Sequence, residues 1–112
     1  MTVNCTPSVL SGTIKSISSK SDAHRLLICA ALSKTETKIY CNVMSKDIAA
    51  TICCLKSMGT EITVDRDVIT VSPKGFNKKA DLDCNESGST LRFLMPLASA
   101  LGMDVVITGH GR

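Results

Sequence analysis

At 112 residues, 44% hydrophobic and 21% charged, the chain has the size and make-up of one small globular domain, which excludes disordered and fibrous classes. Its longest apolar run, Leu26–Leu32, is far short of the roughly 20 residues that span a bilayer, and no basic-then-apolar leader opens the sequence. The net charge of +3 is dispersed, with Lys78-Lys79 the only adjacent basic pair. Tyr40, Phe76 and Phe93 are too few to stack bases, so small anions suit this chain better than nucleic acid.

In chain order, Val3 to Cys5 reads as a short strand, and Thr13 to Ile17 alternates polar and apolar like a half-buried one. Ser18 to Asp22 offers several N-cap candidates before Arg25 to Leu32, which is apolar nearly all round and predicts a buried helix. Lys38 to Val43 follows as a strand. Ser45 is placed to cap a second helix, with Ile48, Ile52, Leu55 and Met58 on one face, Lys46, Thr51 and Lys56 elsewhere, and Gly59 at its end. Glu61 to Val64 and Val68 to Ser72 alternate around Asp65-Arg66-Asp67, the pattern of a hairpin. These elements make one β-α-β-α-β-β unit, about residues 13–73.

After Pro73 and Gly75, a strand is expected near Ala80 to Asp83. Ser87-Gly88-Ser89 then starts a third helix with Leu91, Leu94, Met95, Ala98 and Leu101 inward, which Pro96 should kink or weaken. Val105 to Thr108 is the next strand. A second unit, begun near residue 80, is therefore incomplete at Arg112, and the fold class is α/β.

Cys5, Cys29, Cys41, Cys53, Cys54 and Cys84 contain no C-x-x-C pair, and neither His24 nor His110 has metal-ligand spacing to them. Free thiols in a reducing cytoplasm are expected. Cys29 and at least one of Cys53 and Cys54 should be buried as small hydrophobes.

Two segments share one design, a Ser/Gly-rich turn opening a helix whose early turns carry an arginine. They are Ser19-Lys20-Ser21-Asp22-Ala23-His24-Arg25 and Glu86-Ser87-Gly88-Ser89-Thr90-Leu91-Arg92. A helix N-terminus presents unpaired N–H groups and a positive dipole end, and lysine and arginine add full charges for phosphate or carboxylate. The plainer reading makes Ser21 and Ser87 caps, Lys20 a surface charge, and Arg25 and Arg92 solvated or ion-paired. His24, without a visible partner, is read as structural. Glu86 is read as a dipole partner before an acid–base group, and Asp22 and Asp47 as dipole-favoured carboxylates.

Ser19-Lys20-Ser21, then Arg25 and the apolar run to Leu32, resembles the first signature of the 5-enolpyruvylshikimate-3-phosphate synthases. Leu82-Asp83-Cys84 with Ser87-Gly88-Ser89-Thr90-Leu91-Arg92 resembles their glycine-rich segment, and Thr108-Gly109-His110-Gly111-Arg112 the start of their next signature. The resemblance implies transfer of the enolpyruvyl group of phosphoenolpyruvate to the 5-hydroxyl of shikimate 3-phosphate, by addition and elimination, without metal or cofactor. It implies that Lys20 contacts both substrates and is catalytic. Ser21 and Arg25 then hold shikimate 3-phosphate, Gly88 lies against phosphoenolpyruvate, and Arg92 is a further substrate-binding arginine.

Asn85-Glu86 departs from the Gly-Asn that many members carry there. Members are several times longer, with two domains of three units each, so the resemblance makes this chain an N-terminal fragment, inactive without its C-terminal portion. The UDP-N-acetylglucosamine enolpyruvyl transferases share the fold but have lysine followed by asparagine in the first motif, against Ser21 and Arg25 here. A non-catalytic module that binds phosphorylated metabolites is the alternative of a different class.

Overall fold

The computed structural model describes residues 1–111. The element order is α1 (Lys20–Leu32), β1 (Thr37–Tyr40), α2 (Lys46–Ser57), β2 (Glu61–Asp65), β3 (Val68–Ser72), β4 (Lys79–Asp83), α3 (Gly88–Ala100) and β5 (Asp104–Thr108). Strands β1, β3 and β2 form an antiparallel sheet in that order, with Ile39 opposite Ile69 and Ile62 opposite Val71. Strands β4 and β5 pair in parallel, Leu82 opposite Ile107, across the α3 crossover. The architecture is the expected α/β type.

Each helix begins at a serine. Ser19, Ser45 and Ser87 are extended at the N-cap and accept from the backbone N–H of Asp22, Ile48 and Thr90 respectively. This satisfies one of the donors a helix start leaves open. Helix α1 thus begins six residues or fewer before its apolar run, and places Lys20, Ser21 and Arg25 in its first two turns. Helix α2 packs against α1, α3, β2 and β4, so it sits at the centre of the molecule. Its Ile48, Leu55 and the cap residue Met58 are fully buried with Leu27, Ile69, Val71, Leu82 and Leu94.

A tether joins the two strand groups at the end of α2. Asn77 donates its backbone N–H to Met58 O (2.8 Å) and its side-chain amide to Ser57 O (3.1 Å). Gly59 makes the turn with φ +112, and a Cβ there would lie 3.0 Å from Gly75 O, so only glycine fits both the backbone angle and the approach.

Four expectations are corrected. Residues 1–19 contain no strand, so neither Val3–Cys5 nor Thr13–Ile17 is one, and Ile14 and Ile17 are exposed. Alternation alone does not make a strand without a ladder partner. Among the described residues the segment is held instead by side chains, with Asn42 Nδ2 donating to Ser16 O (3.2 Å) and Ser18 Oγ contacting Asn42 Oδ1. The first group is therefore α-β-α-β-β. Secondly, α1 is not buried all round: Leu26, Cys29 and Leu32 face outward because α2 and the sheet cover one side only. Thirdly, Met95 is exposed and Leu101 lies at the end of α3, more than a third exposed, while Leu94 and Ala98 carry the contact. Fourthly, Thr51 is buried and not on the outer face of α2. Pro96 lies inside α3, where it lacks the N–H that would bond Arg92 O, yet the helix runs unbroken from Gly88 to Ala100.

All six cysteines are free. Cys41, Cys54 and Cys84 are buried, whereas Cys5, Cys29 and Cys53 are exposed. No helix of the described residues is long and apolar enough to cross a membrane.

Candidate anion-binding site

The two Ser/Gly-rich helix starts are brought to one end of the molecule by α2, whose own N-terminus joins them. Lys20 Nζ lies 2.6 Å from Asp47 Oδ2, and the Asp47 carbonyl is within reach of the Thr90 hydroxyl (3.4 Å). First-turn residues of α1, α2 and α3 are thereby linked in sequence. Three positive dipole ends lie together, with an ammonium among them and one carboxylate holding it.

Beneath this surface runs a buried chain of hydrogen bonds. His24 Nδ1 is 2.7 Å from Thr51 Oγ1, Thr51 Oγ1 is 2.8 Å from Thr90 Oγ1, and Thr90 Oγ1 donates to Ser87 Oγ at 2.7 Å. His24 is 2% exposed, and among the described residues its Nε2 has no partner. Burial holds its pKa below the ordinary 6.5; the Asp47 carboxylate opposes this and the Lys20 ammonium adds to it. Burial thus favours the neutral form of the imidazole.

Arg25 stays on the outer side of α1. Its guanidinium lies 5.9 Å from the centre of the Phe93 ring and 3.9 Å from Asp22 Oδ1, and it is mostly exposed. Ser21 is exposed beside it, as are Lys20 and Arg92, the last one residue before the half-buried Phe93. The contact between Arg25 and Phe93 is a second bridge from α1 to α3.

On the other side of the α3 start lies an open cleft of about 480 Å³, lined among others by Glu86, Ser87, Gly88, Gly109, His110 and Gly111. Its floor is strapped by backbone. His110 N donates to Asn85 O (3.0 Å), Cys84 N to Thr108 O (2.9 Å), and Asn85, at φ +50, turns the chain. Gly109 approaches Asn85 O so closely that a Cβ would sit 3.2 Å away. The Asp83 carboxylate accepts from Asn85 N (2.9 Å) and contacts His110 Nε2 (3.2 Å). Its pKa is lowered chiefly by the Asn85 N–H, with His110 adding to it. Arg112 lies outside the described residues.

Gly88 thus lines the cleft, whereas Lys20, Ser21, Arg25 and Arg92 stand outside its lining, on the adjoining helix-end surface. Sequence reasoning missed Thr51, Thr90 and the Asp83–His110 pair. The first two had a signal: Thr51 stands three residues after Ile48 and four before Leu55, and Thr90 four before Leu94, on the buried faces. The partner of His24 is Thr51, 27 residues away, which no local spacing reveals.

Residues 5–112 match the family model described as EPSP synthase (3-phosphoshikimate 1-carboxyvinyltransferase). The chain is 44% identical over 109 residues to a 3-phosphoshikimate 1-carboxyvinyltransferase of Clostridium perfringens strain SM101, covering 95% of this chain and 26% of that protein. A protein of the same name from Clostridioides difficile strain 630 is 42% identical over 118 residues, covering 94% of this chain and 27% of its own length. The chain therefore spans about a quarter of the curated relatives it matches. A structure of EPSP synthase from Acinetobacter baumannii superposes with a TM-score of 0.76 at 24% identity, over 89% of this chain and 24% of that one, a likeness of fold. With the family model matching nearly every residue, this chain belongs to the EPSP synthase family.

Proposed function

We propose that this chain forms one wall of the site at which an enolpyruvyl group passes from phosphoenolpyruvate to the 5-hydroxyl of shikimate 3-phosphate. The remaining wall comes from the portion of the enzyme that corresponds to the rest of its relatives' length, and residues 1–112 are the N-terminal part of the whole. The observation that carries this reading is the convergence of the α1, α2 and α3 starts around Lys20, held through Asp47 and Thr90. Both substrates are multiply anionic, and helix N-termini with an ammonium and guanidinium groups are the groups that bind such anions in water.

In this reading Lys20 contacts both substrates and stabilises charge at the reacting centre, Ser21 and Arg25 hold shikimate 3-phosphate, Gly88 lets phosphoenolpyruvate approach the start of α3, and Arg92 adds an anion contact. Reaction by addition and elimination asks these residues to bind, orient and stabilise charge. With one wall only, Lys20 and Arg25 face solvent, where a phosphate contact is screened. The chain alone is then a weak binder and not a catalyst. Its free thiols suit a reducing compartment, which we take to be the cytoplasm.

The test is reconstitution with the complementary portion of the Clostridium perfringens relative, measuring phosphate release from both substrates. Release by the pair, none by residues 1–112 alone, and loss on Lys20→Ala or Arg25→Ala are expected. Phosphate release by this chain alone, or tight binding without turnover by the pair, overturns the reading.

A further inference from the structure

The protons of the buried chain can be counted. Thr90 has one hydroxyl hydrogen, and both of its acceptor contacts, Ser87 Oγ at 2.7 Å and the Asp47 carbonyl at 3.4 Å, draw on it. Thr90 Oγ1 therefore accepts at its third contact, so Thr51 is the donor there. Having spent its only hydrogen, Thr51 must accept from His24, which places the imidazole proton on Nδ1 and leaves Nε2 as a lone pair without a partner among the described residues. At the other end Ser87 Oγ accepts twice, from the Thr90 hydroxyl and the Thr90 N–H (3.2 Å), and its own hydrogen has no acceptor among these contacts. Ser87 is 4% exposed and lines the cleft beside Gly88.

We propose that His24, Thr51 and Thr90 form a one-way relay that keeps the Ser87 hydroxyl hydrogen free, making Ser87 a donor to an anionic oxygen of phosphoenolpyruvate and His24 its positioning residue. The ligand in this statement rests on the function proposed above. The relay also joins the two anion-binding helix starts: a histidine one residue before Arg25 sets the hydrogen-bond direction at the cap of α3. Reversing it would make Ser87 donate inward and leave the cleft facing a hydroxyl lone pair, which repels phosphate oxygen.

The experiment uses the ¹⁵N-labelled chain in two readouts at pH 7. Long-range nitrogen–proton spectra report the His24 tautomer, expected as Nδ1–H and expected to become mixed in Thr51→Val. Titration with phosphoenolpyruvate, followed at the Gly88 amide, reports binding. Ser87→Ala should weaken it about tenfold, the loss of one hydrogen bond to a charged group. Ser87→Thr, which keeps both cap and hydroxyl, should restore it, and Thr90→Val, which keeps the N–H cap bond, should weaken it several-fold. An Nε2–H tautomer in the unmodified chain overturns the relay. Unchanged binding in Ser87→Ala and Thr90→Val overturns the donor role. If the reconstitution described above fails while both readouts are as expected, enolpyruvyl transfer is wrong and the relay stands.

Discussion

Lys20 Nζ rests 2.6 Å from Asp47 Oδ2, so the ammonium at the start of α1 is held by a carboxylate from the start of α2. Lys20 is more than half exposed and Asp47 about a quarter. Such a pair contributes only about 0–1 kcal/mol to folding, and its value lies in orienting the lysine. Lys20→Ala is therefore expected to shift the urea midpoint little while removing the activity of the reconstituted enzyme. A loss of stability well beyond about 1 kcal/mol would mark Lys20 as a structural residue instead.

Thr51→Val should behave in the opposite way. The change is nearly isosteric but strips His24 Nδ1 of its acceptor and the Thr90 hydroxyl of its donor, in a site from which water is excluded. Stranding buried polar groups costs about 1–3 kcal/mol. Urea unfolding of the variant measures this, and an unchanged midpoint would show that the buried chain adds nothing to stability.

Acid should weaken the fold through His24. Burial keeps its folded pKa below the unfolded value of 6.5, so as pH falls through 6.5 the unfolded state takes up a proton that the folded state refuses. Stability is whole above that pH and declines as pH drops from there towards the lower folded pKa. Asp83, whose folded pKa is also lowered, adds a further loss below the ordinary carboxylate range. The decline just below pH 6.5 should vanish in His24→Gln. If that variant keeps the wild-type slope, His24 is not its origin.

Thiol labelling of the folded chain should split three and three. Cys5, Cys29 and Cys53 are exposed and should react fast, and Cys41, Cys54 and Cys84 slowly. The Cys54 thiol is pushed up to about 12, first by burial and then by neighbouring Cys84, so it offers almost no thiolate at neutral pH. Mass spectrometry after brief alkylation identifies the labelled positions. Rapid labelling of Cys54 would mean that the α2–β4 contact opens readily.

Local pattern was enough to locate most elements here. The hairpin around Arg66, the capped helices after Ser45 and Ser87, and the β-α-β run from Lys79 to Thr108 follow from side-chain period and cap chemistry, which act over a few residues. The paired Ser/Gly-rich helix starts with their lysine and arginines were legible for the same reason. Contacts between distant segments were not. Whether Thr13–Ile17 is a strand depends on a pairing partner that period cannot supply, and Cys29 faces outward because packing covers one side of α1. The placement of Lys20 on Asp47, and of His24 on Thr51 and so on Ser87, joins residues 27 or more positions apart through α2. Polar groups buried together must satisfy one another, and which ones meet is settled by how helices pack, not by the spacing of either partner along the chain.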